Sequence, residues 1–439
     1  MNGQVTGGVC EDVAAGVTRR QLLWRLGLAV GTLTPIARWP VARAMAAARR
    51  ELTMLTFNHF VPASDEKLKQ QVAAFSKQAG VAMRLDTIAG RELPARWAAE
   101  IQGQSGHDVM VLLDNAPQLY KDQLADMSDV CDELGSKYGG WWEFSKEVSV
   151  ADGQWKSVPW FYIGTPTTYR EDYFQQVQEP PSDTYDDLLR AGRKLRQIGH
   201  PIGFAISQTG DSNWTLFPLL WSFGASTVAE DGKTITINSP QTAQALEYVN
   251  TLYHDCMENE VLSWDDAGNN RYILSGRGSW TLNAISIYEA AKKSVPGLVK
   301  AINHSLMPAG PVRRIAAVPY WSIGVWKFSN NIGLAKEFLR YHFQREQQNE
   351  FIAASGGYNQ PLLKEFDQHP IWTSDPKLRP LVGFAKWAHL IGWPGPPTRE
   401  AQLVSQLYII PNMFAKVVTG MHAKEAMLWA EEEIRKVYG

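Results

Sequence analysis

Asp108-Val109-Met110-Val111-Leu112-Leu113 is a continuous apolar run, and it limits the fold more than any other stretch of the chain. A strand this uniformly apolar has to be covered on both faces, which is the habit of a parallel sheet with βαβ crossovers. The segments before it fit that habit. Leu52 to Phe57 reads as a first strand, and Ser64, Asp65 and Glu66 signal a helix start. Leu68, Val72, Phe75 and Ala79 mark one helical face, which Gly80 closes. Val81, Met83 and Leu85 then alternate as a second strand, and a short helix runs through Trp97 to Ile101. Ligands of such sheets lie beyond the carboxyl ends of the strands, which directs attention to Asn58 and His59 and to Asp114 and Asn115.

The stretch Gln154 to Phe174 reads as a boundary, because the alternation of apolar runs and helical patterns starts afresh after it. Val158-Pro159 is a strand end, since a residue before proline is pushed to extended geometry. Trp160, Phe161 and Tyr162 follow in a row. Alternate strand residues point to opposite sides, so either one of these rings faces a cleft or the strand lies between two apolar layers. Thr184 and Asp187 open a helix that Gly199 ends, and Phe204-Ala205-Ile206 is predicted as a strand. Gly210 to Trp214 leads into an apolar helix, and Glu230 to Lys233 is a hairpin-type turn. Ser239-Pro240 caps a helix through Leu252, completing a second α/β unit. Val318-Pro319-Tyr320-Trp321 echoes the earlier Val-Pro-aromatic stretch, as two strands crossing between two lobes would require. Near the end, Pro411 is expected to kink a helix running from Thr398 to Val418.

Thr18-Arg19-Arg20-Gln21-Leu22-Leu23 opens a weakly apolar stretch to Ile36, too short and too interrupted for a membrane span. With small residues up to Ala48, it resembles a twin-arginine export signal, so residues 1–48 are expected to be cleaved, after Ala46 or Ala48, from an exported periplasmic product. A formal net charge of −2 with no long basic block gives no electrostatic hold on a phosphate backbone, so nucleic acid is not expected as a partner. Cys10 would leave with the signal, and Cys131 and Cys256 are expected as free thiols on different lobes.

No glycine-rich phosphate loop, His-Glu-x-x-His, Gly-x-Ser-x-Gly or paired Cys-x-x-Cys occurs, and the nine histidines lack ligand spacing. No metal site or cofactor is therefore expected, and no catalytic residue is assigned. The 17 tryptophans outnumber the 16 phenylalanines and 15 tyrosines, which suggests that some rings serve recognition. Aromatic faces with Asp and Asn at strand ends suit a hydroxyl-rich ligand, because indole accepts the C–H side of a sugar ring while amides and carboxylates bond its edge. A secreted glycoside hydrolase, which needs only two placed carboxylates, would carry the same features.

Gly106-His107-Asp108-Val109, Leu124 to Asp129, Trp155 to Pro159, Tyr169 to Phe174 before Pro181, Thr184 to Leu188, Leu274 to Gly278 and Ala335 to Leu339 stand in an order that resembles the extracellular solute-binding proteins of ATP-binding-cassette importers, in the large family that takes mostly carbohydrates. The resemblance covers nearly all of the chain after the signal. It implies an α/β fold of two Rossmann-like lobes, periplasmic binding protein type II-like, joined by crossing hinge strands with the ligand cleft between them. The implied lobes are residues 49–160 with 320–372 and 161–319 with 373–439. It also implies a monomer that closes on a small-molecule solute and delivers it to the transmembrane subunits of a permease. The family's contact regions fall on Asn58, His59, Asp114, Asn115, Trp160, Tyr162, Trp214, Trp280, Asn283, Tyr320, Trp321 and Trp393, with Trp214 and Trp393 as stacking platforms. Ile285, where an aromatic platform is common, and Tyr320-Trp321, where small residues are common, point to a narrower pocket than an oligosaccharide needs. The same fold taking a glycerol phosphodiester, a phosphorylated polyol or a polyamine is the alternative; phosphate would call for converging arginines or helix N-termini, a polyamine for several cleft carboxylates.

Overall fold

A computed structural model describes residues 51–439. The export-signal reading, its cleavage site and Cys10 lie outside the described residues.

The apolar run forms the strand Val109–Leu113 inside a six-stranded sheet ordered Gln360–Pro361, Val158–Tyr162, Tyr320–Val325, Val109–Leu113, Glu51–Phe57, Ala82–Ile88. Glu51–Phe57 pairs in parallel with both Ala82–Ile88 and Val109–Leu113. The helices Pro62–Ala79 and Leu93–Gly103 make the crossovers between those strands. Gly80 closes the first of them in the left-handed conformation, at φ 66°. Tyr320–Val325 then lies antiparallel between Val109–Leu113 and Val158–Tyr162, with Trp321 opposite Leu113 and Tyr320 opposite Tyr162.

A separate three-stranded antiparallel sheet holds Thr167–Arg170 between Trp280–Leu282 and Ile302–Ser305. Around it pack Tyr185–Gln197, Gly210–Ser222, Pro240–Cys256, Ile409–Val418 and Ala423–Tyr438. Thr184 and Asp187 form the expected reciprocal cap, the Thr184 hydroxyl accepting from the Asp187 amide at 3.1 Å while Asp187 accepts from the Thr184 amide at 3.0 Å.

The chain passes between the two sheets three times. Residues 163–166 lead from Val158–Tyr162 to Thr167–Arg170, and Val318-Pro319 leads back to Tyr320–Val325. The third passage lies near residue 370: Trp372 Nε1 donates to Gly357 O at 3.0 Å, and a few residues on Lys377 Nζ donates to Val299 O and Ile302 O, both at 2.5 Å. Gln360 ties two of these passages together, its Oε1 accepting from Gly164 N at 2.8 Å and its Nε2 donating to Leu381 O at 3.1 Å.

Two expectations about elements fail for identifiable reasons. Phe204-Ala205-Ile206 is buried and extended but is no ladder strand; Gly203 N donates to Trp280 O and Ile206 N to Val261 O, so single bonds to two different partners replace a paired edge. Thr398 to Val418 is two helices, Arg399–Gln406 and Ile409–Val418, because Tyr408 takes a left-handed φ of 53° between them. Pro411 therefore kinks nothing. It sits in the first turn of the second helix, where its missing N–H has no intrahelical partner to lose.

Cys131 and Cys256 are both free and buried. Burial pushes the Cys131 thiol well up and the Cys256 thiol to about 12, so neither is a reactive thiolate at neutral pH.

Candidate ligand cleft

The carboxyl end of Glu51–Phe57 and the amino end of Tyr320–Val325 meet through their rings, Phe57 and Trp321 stacking at 3.8 Å with planes 4° apart. That pair forms one wall of two adjoining cavities of about 40 and 360 Å³. The opposite wall is the start of the helix Gly210–Ser222 with Asp266, so both sheets contribute. Phe57, Phe60, Trp214, Asp266 and Trp321 border both spaces. Asp211, Asn283, Ser286 and Tyr358 border the smaller, and Asn58, Arg91, Asp114, Gln402 and Tyr408 the larger.

Thr209 caps the Gly210–Ser222 helix, its hydroxyl accepting from Ser212 N at 3.3 Å. Gly210 follows because the Trp214 ring lies over this turn; a Cβ there would meet the indole at 2.9 Å. Asp114 ends its strand in the left-handed region at φ 50°, which costs a non-glycine residue energy and is held by two bonds to Tyr320. Asp114 N donates to Tyr320 O at 2.7 Å, and Tyr320 N donates to Asp114 Oδ1 at 3.2 Å. Burial pushes the Asp114 carboxyl up to about 7. Burial also raises Asp211 well above the usual carboxylate range, with the Asp266 charge adding to it, and raises Asp266 itself. Asn283 Nδ2 donates to Asn270 Oδ1 at 2.8 Å, which holds its amide at the cavity edge.

Of the residues expected to touch ligand, Asn58, Asp114, Trp214, Asn283 and Trp321 come together on these walls. The others do not. Trp160 and Tyr162 are 1% and 0% exposed inside the six-stranded sheet, Trp160 stacking on Phe351 at 5.1 Å, so the aromatic run is the interior strand and not a cleft face. Tyr320 is likewise fully buried, its hydroxyl bonded to Ser149 Oγ at 2.7 Å. Trp280 is enclosed in the three-stranded sheet. His59 is buried under Phe57 and bonds Asp65 through Nδ1 at 2.7 Å, which ties the strand end to the first turn of the following helix. Asn115 is a brace, donating from Nδ2 to Ile391 O at 2.6 Å and from its backbone N to Gln402 Oε1 at 2.9 Å. Trp393 packs on Trp221 at 5.6 Å with Arg313 over its ring at 4.9 Å and borders neither cavity.

Phe57, Phe60, Asp211, Asp266 and Tyr358 are among the wall residues that sequence reasoning missed. Phe57 immediately precedes Asn58, and Asp211 lies inside the Gly210-to-Trp214 helix start, so the strand-end and helix-start signals reached their neighbours. Asp266 carries no local signal. Among the described residues no group of His, Cys, Asp and Glu could hold a metal ion, and no helix is long and apolar enough to cross a membrane.

Residues 70–380 match the bacterial extracellular solute-binding protein family. The "Probable ABC transporter-binding protein" of Deinococcus radiodurans is 23% identical over 332 residues, 73% of this chain and 78% of that relative. An ABC transporter solute-binding protein from Thermotoga lettingae, bound with α-D-tagatose, superposes with a TM-score of 0.79 at 16% identity, covering 89% of this chain and 100% of that one. The maltose-bound MalE3 of T. maritima gives 0.77 at 20% identity, and the ribitol complex from Agrobacterium radiobacter 0.74 at 16%, each over 88% of this chain and 99% and 98% of theirs. These structures share the two-lobed α/β fold. The family is one of binding proteins of ABC transporters, not of enzymes, and the chain belongs to it: it is a bacterial extracellular solute-binding protein.

Proposed function

We propose that this protein is the exported, periplasmic substrate-binding component of an ABC importer, a monomer that captures a sugar or polyol-like solute and hands it to a membrane permease. The lobes are residues 49–160 with 320–372 and residues 161–319 with 373–439, and the three passages between the sheets are the hinge. The carrying observation is a cavity walled from both sides by rings, Phe57 and Trp321 opposite Trp214, with amides and carboxylates among them. Indole and phenyl faces suit the C–H side of a pyranose or a polyol chain, while Asn283, Asp114 and Asn58 suit its hydroxyls. The tagatose, maltose and ribitol held by similar folds support the same class.

A phosphate-bearing solute fits poorly. Three helices begin on these walls, Leu93–Gly103, Gly210–Ser222 and Ser286–Ser294, and Gly210–Ser222 carries Asp211 in its first turn, where an anion would otherwise sit. Binding contacts from both lobes stabilise the closed form only by the difference in affinity between closed and open states.

A melting-temperature screen against monosaccharides, disaccharides, polyols and phosphoesters tests the reading, because a ligand at about 100 times its dissociation constant adds about 2.7 kcal/mol to native stability. Sugars or polyols are expected to raise the melting temperature, and Trp214→Ala to weaken binding of the solute found by about tenfold or more while the free protein stays folded. Stabilisation by phosphoesters alone, or unchanged affinity in the variant, overturns it.

A further inference from the structure

We propose that Tyr408 is the specificity-determining residue of the larger cavity: a left-handed backbone is kept at this tyrosine so that its phenol contacts one hydroxyl of the solute beside Asp114. The proposal rests on the sugar or polyol reading above and deepens it.

The first observation lies in the helix ends. Residues 139, 199, 224, 276, 356 and 420 each stand one place past a helix cap with a positive φ, and all six are glycine. Glycine takes that turn because it has no Cβ to strain. Tyr408 stands at the same place, after the Leu407 cap of Arg399–Gln406, with φ 53° and ψ 35°. Its N–H makes the bond expected of that position, donating to Ser405 O at 3.0 Å. A chain shaped by stability alone would carry glycine or asparagine here.

The second observation is where the strained residues lie. Among the described residues five non-glycines have a positive φ; Gln104, Asp152 and Gln178 are exposed, whereas Asp114 and Tyr408 are not. Both of the latter border the larger cavity. A strained backbone persists only where its surroundings fix it, and such residues gather at ligand clamps. The surroundings do fix this one. Gln402 Oε1 accepts from Asn115 N at 2.9 Å and Ser405 O accepts from Asn213 Nδ2 at 3.1 Å, so the helix that ends at Tyr408 is tied to the strand end on one side and to Gly210–Ser222 on the other.

The ring of Tyr408 offers a face to C–H groups, and its hydroxyl both donates and accepts. Burial, and then the charges of Asp266 and Asp114, hold this phenol above its ordinary range, so it keeps its proton at neutral pH. Asp114 Oδ1 is engaged by Tyr320 N, which leaves Oδ2 to accept from the same solute. Glycine or asparagine at 408 would supply the turn but neither the ring nor the phenol.

Calorimetric titration of the full chain with D-glucose, D-galactose, D-mannose, D-tagatose, maltose and ribitol, and with monodeoxy forms of those that bind, tests this in the wild type, Tyr408→Phe and Tyr408→Asn. Tyr408→Phe keeps the ring and the strained backbone, and is expected to bind about three- to tenfold more weakly, the loss of one hydrogen bond. One deoxy form should bind the wild type more weakly than its parent by a similar factor and be indifferent to Tyr408→Phe, as two groups in contact require. Tyr408→Asn is expected to lose affinity by about tenfold or more while the free protein melts at or above the wild-type temperature, because the strain is relieved. An affinity of Tyr408→Phe within about twofold of the wild type, or a loss shared equally by every deoxy form, overturns the contact and leaves the sugar reading standing. An asparagine variant that melts well below the wild type shows a tyrosine kept for packing and overturns the strain argument. Binding of none of the six parent compounds to the wild type overturns the sugar reading and this proposal with it.

Discussion

His342 is enclosed by Trp160, Phe338, Phe343 and Phe351, and neither of its ring nitrogens has a partner among the described residues. Burial lowers its pKa to about 3. The unfolded chain takes up that proton near pH 6.5 and the folded one does not, so stability that is whole above 6.5 is lost as pH falls from 6.5 towards 3. His304, lowered to about 4 by burial, acts in the same direction. His342→Phe is expected to melt at a temperature that falls less steeply than the wild type's between pH 6.5 and 4.5; identical slopes would show that His342 is not the group responsible. Asp114 works with the opposite sign. Its folded-state value of about 7 lies above the ordinary 3.8, so its contribution is full below that ordinary value and is lost as pH rises through 7. Asp114→Asn keeps the acceptor for Tyr320 N and is expected to stabilise the protein at pH 8 by up to about 4 kcal/mol, at roughly 1.4 kcal/mol per tenfold change in proton affinity, with little gain at pH 4. Denaturant unfolding at the two pH values checks it.

Among the elements, Tyr320–Val325 is the most tightly confined, since it fills the space between an otherwise parallel set and Val158–Tyr162. A methyl group at Gly324 would meet Leu112 and Leu124 side chains at 2.8 Å, so Gly324→Ala is expected to cost about 1–3 kcal/mol, read as a lower denaturant midpoint with an unchanged slope. Elements of this kind were legible in the chain because their signals are local: a uniform apolar run, a threonine with an aspartate three residues on, a glycine after the last helical turn. Residues 204–206 and 408 were not, because pairing partners and a left-handed backbone at tyrosine are tertiary outcomes that propensity does not encode. The cleft was half legible for the same reason. Strand ends pointed to Asn58 and Asp114, but the side to which Trp160, Trp280, Tyr320 and Trp393 turn depends on which layer covers each strand or loop, and Asp266 enters the wall from a turn with no periodic pattern at all.

For the molecule as a whole, Asn115 bridges from the end of Val109–Leu113 to Ile391 and Gln402, some 280 residues further along the chain. Asn115→Ala is expected to populate an open form, seen as a larger radius of gyration by small-angle scattering that contracts when a bound solute is added; an unchanged radius would place the hinge's resistance elsewhere. The order of strands in the large sheet has a further consequence, for biogenesis. Four of its strands have been synthesised once Tyr162 is added, yet the strand that belongs between Val109–Leu113 and Val158–Tyr162 does not exist until Val325 is made. Through all the intervening translation the nascent polypeptide exposes two facing unsatisfied edges flanked by hydrophobic surface, the geometry that invites mispairing and aggregation. A truncated product ending before Tyr320 should therefore be recovered in inclusion bodies, and the intact one should depend on chaperone shelter until Tyr320–Val325 has emerged.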